Sequence, residues 1–204
     1  MNHLLIHQLY AAIAPWSALA LLLLGRNPHP DLRRKIAAIL LSALVLFVIP
    51  FSGWTIAAWL RVLEPNPSIT LTVLLLLALT SRLTGQPLFR RQDWNAAWIF
   101  GAFAALVLYP MGLGLTGIDP YTWGWDPVLP LVATAAATLL LLRGNRFGIV
   151  LLLPFAGWLL GIQESTNFWN ILVDPFYGAA ALVVTAILVI RRCSPLTSQA
   201  AVID

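Results

Sequence analysis

The chain is nearly empty of the side chains that most protein chemistry requires. It holds one cysteine, one lysine and three histidines in 204 residues, and only 10% of it is charged. A lone cysteine, Cys193, excludes an internal disulfide and a cysteine-held metal cluster. It follows Arg191 and Arg192, where an inert thiol and a reversibly acylated one are the two readings. With Lys35 the sole lysine, the last apolar segment cannot carry a Schiff base. No two histidines face each other across the apolar segments, so haem has no axial pair. The nucleophile elbow G-x-S-x-G, the zinc motif H-E-x-x-H, the phosphate loop and a Cys–His pairing are all missing. No basic stretch precedes the apolar run of MNHLLIHQLYAAIAPW, so the start does not read as a secretory signal.

What is abundant is apolar surface. The chain is 60% hydrophobic with a mean hydropathy of +0.85, whereas a soluble domain carries about a quarter charged residues. A water-soluble fold of this size still exposes much of its surface and could not hide so much hydrocarbon. A bilayer is the solvent that fits, and its ~30 Å core takes ~20 apolar residues as a helix. Alternating strand patterns are absent, which argues against a barrel. The net charge is +4, but the arginines come in short clusters between apolar runs. That pattern reads as a topology signal and not as a nucleic-acid stripe.

The expected fold is an all-α polytopic membrane bundle, one domain over residues 1–204, with seven spans at residues 4–25, 36–60, 68–81, 94–113, 127–142, 147–162 and 175–190. The third, fifth and sixth are short, and a six-span alternative makes one of them re-entrant. Seven spans place Arg26, Arg33, Arg34, Lys35, Arg82, Arg90, Arg91, Arg143, Arg146, Arg191 and Arg192 on one side and Arg61 alone on the other. The positive-inside rule then puts the C-terminus in the cytoplasm and the N-terminus outside. Short loops and abundant arginine suggest a bacterial inner membrane. The outer side receives Glu64, Asp119, Asp126, Glu164 and Asp174, together with most of the tryptophans.

Three helix starts share a grammar. Asn66-Pro67, Asp126-Pro127 and Asp174-Pro175 each open an apolar run that ends on Arg82, Arg143 or Arg191. Asn or Asp at the N-cap accepts from free N–H groups, and proline at the next position loses no hydrogen bond. These three residues are therefore expected to be helix caps. Asp119 is different, because GIDPYTWGWDP is a loop. It reads either as a turn residue beside an interfacial aromatic belt, or as part of a pocket formed with QESTNFWN, residues 163–170. Such a pocket would draw on Asp119, Tyr121, Trp123, Trp125, Glu164, Asn167, Trp169 and Asn170. Carboxylates, amides and aromatic faces together suit a cation, a sugar or a lipid headgroup.

His3 and His7 stand four apart on one helical face, a weak metal-ligand spacing that an outer carboxylate could complete. The middles of the spans carry no ionisable residue, which argues against a proton-coupled pump. Gly157 and Gly161, the series Ala97, Gly101 and Ala105, and the pair Ala133 and Ala137 form small-residue seams for helix packing, inside the fold or against a partner. Pro50, Pro110 and Pro154 are expected to kink their helices. The leading expectation is a small non-catalytic membrane component without a cofactor. Its acidic, tryptophan-rich rim would bind membrane lipids, a lipid-linked substrate or another integral membrane protein. A transporter or flippase for a small or lipid-like solute is the alternative. A surface enzyme using Asp119 and Glu164 is the third reading.

Overall fold

Proline, glycine and the caps decide where each helix stops, and they stop several of them early. The computed structural model describes residues 3–25, 27, 30–115 and 117–193, with side chains from Leu5 onward. Among these residues the chain forms nine α-helices: α1 (His3–Leu24), α2 (Leu32–Phe47), α3 (Ile56–Leu63), α4 (Ile69–Thr84), α5 (Arg91–Gly112), α6 (Val128–Leu142), α7 (Phe147–Leu159), α8 (Phe168–Leu172) and α9 (Pro175–Cys193). A two-stranded hairpin, β1 (Pro50–Phe51) and β2 (Trp54–Thr55), separates α2 from α3.

The all-α architecture stands, but seven crossings do not. Among the described residues only α1, α5 and α9 are long and apolar enough to cross a membrane, with 22, 22 and 19 residues. The shorter apolar helices α4, α6 and α7 have 16, 15 and 13 residues. At 1.5 Å per residue they reach only about 20–24 Å, against a hydrocarbon core of ~30 Å. The expected second span, residues 36–60, is broken outright. Pro50 has no N–H to continue α2, and the residue before a proline is disfavoured in the helical region. Ser52 and Gly53 then take positive φ values of 50° and 84°, as in a two-residue type I′ turn. Where a kink is expected, Pro50 instead starts a hairpin. Pro110 and Pro154 do lie inside helices, α5 and α7. The sidedness argued from seven alternating crossings loses its basis with them.

The caps also shift. At α4 the N-cap is Ser68, whose Oγ accepts from the Leu71 N–H at 3.2 Å, two residues beyond Asn66. At α6 the N-cap position falls on Pro127 with no side-chain cap, and Asp126 is exposed. At α9, Asp174 Oδ1 accepts from the Tyr177 N–H at 2.7 Å.

The small-residue seams of α5 and α6 are taken up inside the molecule. Gly161, however, lies beyond the end of α7 at φ 60° with nothing packed where its Cβ would be, so the expected Gly157–Gly161 seam does not form. α5 lies along α9, and a Cβ on Gly101 would come within 2.7 Å of the Tyr177 ring and 2.8 Å of Ala181. Gly178 faces Ala105 and Tyr109 from the other side of the same contact. α6 lies along α7, where Gly148 meets the Ala137 backbone, and Gly157 is filled by Ile69 of α4. Close backbone approach makes these contacts. The main core gathers Leu74, Phe147, Leu151, Phe168 and Tyr177, and a smaller one joins Ala20, Leu24, Ala38 and Leu79. The outward faces of α5, α6 and α9 carry exposed apolar residues such as Phe103, Leu131 and Val183. Such a surface suits contact with lipid.

Candidate functional site: an acidic cleft at one end of the bundle

The two ends of the bundle differ in charge. At the arginine end, Arg82 donates to the Asn27 carbonyl, Arg90 to the Gly144 carbonyl and Arg146 to the Leu88 carbonyl. Asp93, fully buried, accepts from the Arg90 N–H at 2.8 Å, the Arg146 N–H at 3.0 Å and the Arg90 guanidinium at 3.3 Å. Arginine forks here replace water at backbone carbonyls.

The opposite end is built around Asp174. Its side chain is buried, and its two oxygens serve two helix starts. Oδ1 holds the Tyr177 N–H, and Oδ2 accepts from the Ser68 N–H at 2.6 Å. Aspartate favours these positions because both helix N-termini are positive ends. Tyr10 of α1 joins the same region. Its hydroxyl donates to the Pro67 carbonyl at 2.7 Å, and Gln163 donates to that carbonyl at 2.6 Å.

The two loops singled out by sequence do meet. Tyr121 donates to Asn170 Oδ1 at 3.2 Å, Asn167 Nδ2 to the Tyr121 carbonyl at 3.1 Å, and Trp169 Nε1 to the Pro120 carbonyl at 2.8 Å. Asn167 is buried and caps α8 through the Trp169 N–H. Gly124 is required at this junction, since a Cβ there would collide with the Asn167 amide. Asp119 caps a short 3-10 turn, residues 120–124, and its Oδ1 accepts from the Tyr121 N–H at 2.9 Å. Trp125 packs edge-on to Tyr121, and both Trp123 and Trp125 are exposed.

Glu164 goes elsewhere. Its backbone N–H donates to Asn66 Oδ1 at 3.1 Å, and its carboxylate lies 3.9 Å from the His7 ring. Asp119 and Glu164 therefore do not share a pocket. The His7 ring also has its Nε2 3.1 Å from the Gly161 carbonyl. The side chain of His3 lies outside the described residues. Among the described residues no three His, Cys, Asp or Glu side chains gather as a metal site.

A cleft of about 470 Å³ opens beside the joined loops. Glu64, Asp119 and Asp174 line it, with Asn66, Asn170, Tyr109 and Tyr121, over a floor that includes Leu108 and Val173. No Lys, Arg or His is among the lining residues. The Tyr109 hydroxyl is buried and has no partner among the described residues. Burial pushes the Glu64 carboxyl up. The Asn66 N–H, bonded to Glu64 Oε1 at 3.1 Å, pulls the other way, and the charge of Asp174 pushes it up again. No basic side chain among the described lining residues offsets the repulsion of Glu64 by Asp174.

Of the pocket residues named from sequence, Asp119, Tyr121 and Asn170 line this cleft, and Glu164, Asn167, Trp123, Trp125 and Trp169 do not. Sequence reasoning treated Asn66 and Asp174 only as caps and did not single out Glu64 or Tyr109. The LEPNPS stretch carries its acid and amide two residues apart, and this spacing was the available signal. Comparison with family models, curated proteins and solved structures finds no match to this chain.

Proposed function

We propose that the protein is a non-catalytic membrane component, placed in a bacterial inner membrane, whose acidic cleft binds the cationic head of a lipid-linked ligand. The observation that carries this reading is the set of three carboxylates on one cleft with no basic lining residue. An ammonium group entering there would neutralise a cluster that is otherwise self-repelling. The rings of Tyr109 and Tyr121 line the same cleft, and aromatic lining suits a cation. Apolar walls at Leu108, Leu113 and Val173 suit the first carbons of a chain behind the charge.

Binding is favoured over the other two expectations on geometry. On α5 the cleft touches only residues 108–112, its last two turns. It is a cup at one end of the bundle and does not resemble a path along it. An enzyme built on Asp119 and Glu164 would need them together, and Glu164 faces His7.

The test is titration of purified protein in phosphatidylcholine nanodiscs with decyltrimethylammonium, read by tryptophan fluorescence, with decanoate as the comparison. Saturable binding of the cation, weakened about tenfold or more by Glu64→Gln with Asp119→Asn, is the expected result. Equal response to decanoate, or an unchanged affinity in the double variant, would reject the proposal. Affinity for the cation should also rise as pH climbs through the raised Glu64 value, because only the ionised carboxylate attracts it.

A further inference from the structure

We infer that a second site, the groove between α1, α2 and α3, holds one acyl chain of an anionic phospholipid whose phosphate is clamped by Arg61. The groove measures about 490 Å³ and is distinct from the acidic cleft. It runs along α1 from Leu5 to Trp16, with Ala43 and Phe47 across from them on α2 and Ala58 and Arg61 on α3. The rise along the helix from Leu5 to Trp16 is about 17 Å, close to half of a ~30 Å hydrocarbon core. That is the depth of one leaflet. Alanines at positions 43, 57 and 58 leave the space, where larger side chains would close it.

Arg61 supplies the charge. It sits on the same face of α3 as Ala57 and Ala58, four and three residues before it. It is half-buried, and among the described residues it has neither a hydrogen bond nor an ion pair. Every other lining side chain of the groove is uncharged. A partly desolvated guanidinium without an acid partner is costly, and its planar fork matches a phosphate. An apolar trough with one free arginine on its wall is complementary to a phosphate ester on an acyl chain.

The surroundings place this arginine at headgroup depth. The hairpin beside it exposes Phe51 and Trp54, and α3 exposes Trp59, at 66%, 57% and 40%. The Trp54 and Trp59 rings lie 6.0 Å apart, and Trp59 Nε1 donates to the Phe51 carbonyl at 2.8 Å. Indoles fixed in this way on the surface form the aromatic belt of a membrane interface. The broken second span is thus an interfacial hairpin and short helix that carries the arginine, and the missing length of helix opens the trough beneath it.

The test uses the full chain purified in mild detergent, delipidated, and titrated with phosphatidylglycerol while bound lipid is counted by native mass spectrometry. One lipid per chain should be retained. Arg61→Gln should weaken retention about tenfold or more, with Arg61→Lys in between. Ala43→Trp, which keeps the arginine and fills the trough, should also lose the lipid. A lipid-free melting transition unchanged from the parent separates lost binding from lost folding. Equal retention by Arg61→Gln, or equal retention of a neutral diacylglycerol by the parent, would overturn the assignment of the phosphate to Arg61. Displacement of the lipid by inorganic phosphate alone would overturn the acyl-chain part of it.

Discussion

Asp93 and Asp174 are both buried carboxylates that tie one helix start to a distant segment, yet they solve the problem of buried charge differently. Asp93 is neutralised by the guanidinium of Arg90 and by two backbone N–H groups. Asp174 is held by two backbone N–H groups alone, at the starts of α4 and α9. At the arginine end Asp93 therefore has a guanidinium beside it, and the forks of Arg82, Arg90 and Arg146 are occupied by backbone carbonyls. The Asp174 end keeps its negative charge and adds Glu64 and Asp119 beside it. Carboxylates that line a concave place with no guanidinium beside them are open to a cationic ligand, and the described lining of the cleft holds three.

This contrast can be broken most severely at Asp174. Asp174→Ala strands two buried N–H donors, each worth about 1–3 kcal/mol, so a loss of about 2–6 kcal/mol is expected in denaturant unfolding of the detergent-solubilised protein. Asp93→Ala also frees two N–H groups, those of Arg90 and Arg146, and removes an ion pair. Both N–H bonds are only part-buried and water can reach the donors, so it should cost less, about 1–3 kcal/mol. Arg90 is half-exposed and rehydrates, and such pairs contribute little. A larger loss at Asp93 than at Asp174 would show that the ion pair, and not the pair of helix starts, governs buried charge in this bundle.

Next in size is Gly124→Ala, which pushes the Asn167 amide from its place between the two loops. Overpacking of this kind costs about 1–3 kcal/mol. It should lower cation affinity in the cleft while leaving the arginine end untouched, as read by hydrogen exchange at the starts of α5 and α7.

The smallest effect is the pH dependence carried by Glu64. Its carboxyl is raised above its ordinary value of 4.5 in the folded state, first by burial. The folded chain then binds this proton more tightly than the unfolded one. The stabilisation is complete below 4.5 and is lost as pH rises through the raised value. Glu64→Gln should flatten the stability profile in that window. A slope that persists unchanged in the variant would assign it to another group.

Helix identity was legible in the sequence because apolar runs without alternation admit little else. Helix length was not. The stretch 36–60 is continuous in hydropathy, and only the local chemistry of Pro50, Ser52 and Gly53 shows that it folds back. Composition offers the pairing of residues 117–127 with 163–170 as one of two readings; hydrogen bonds between Tyr121, Asn167 and Asn170 join the loops, while Glu164 turns to His7. The place of Glu64 was not legible, since nothing local marks a residue 110 positions before Asp174 as its neighbour. Likewise Asn66 looks like a cap by motif, but Ser68 is the residue whose side chain reaches the free N–H. Local grammar predicts which residue types cap helices, and tertiary packing selects among candidates two positions apart.

The bond from Ser68 to Asp174 spans 106 residues of chain. During synthesis the amide at the start of α4 stays unsealed until residue 174 has been made. The residue that closes α4 also opens α9, so the two helix starts lock in one step that neither segment can take alone.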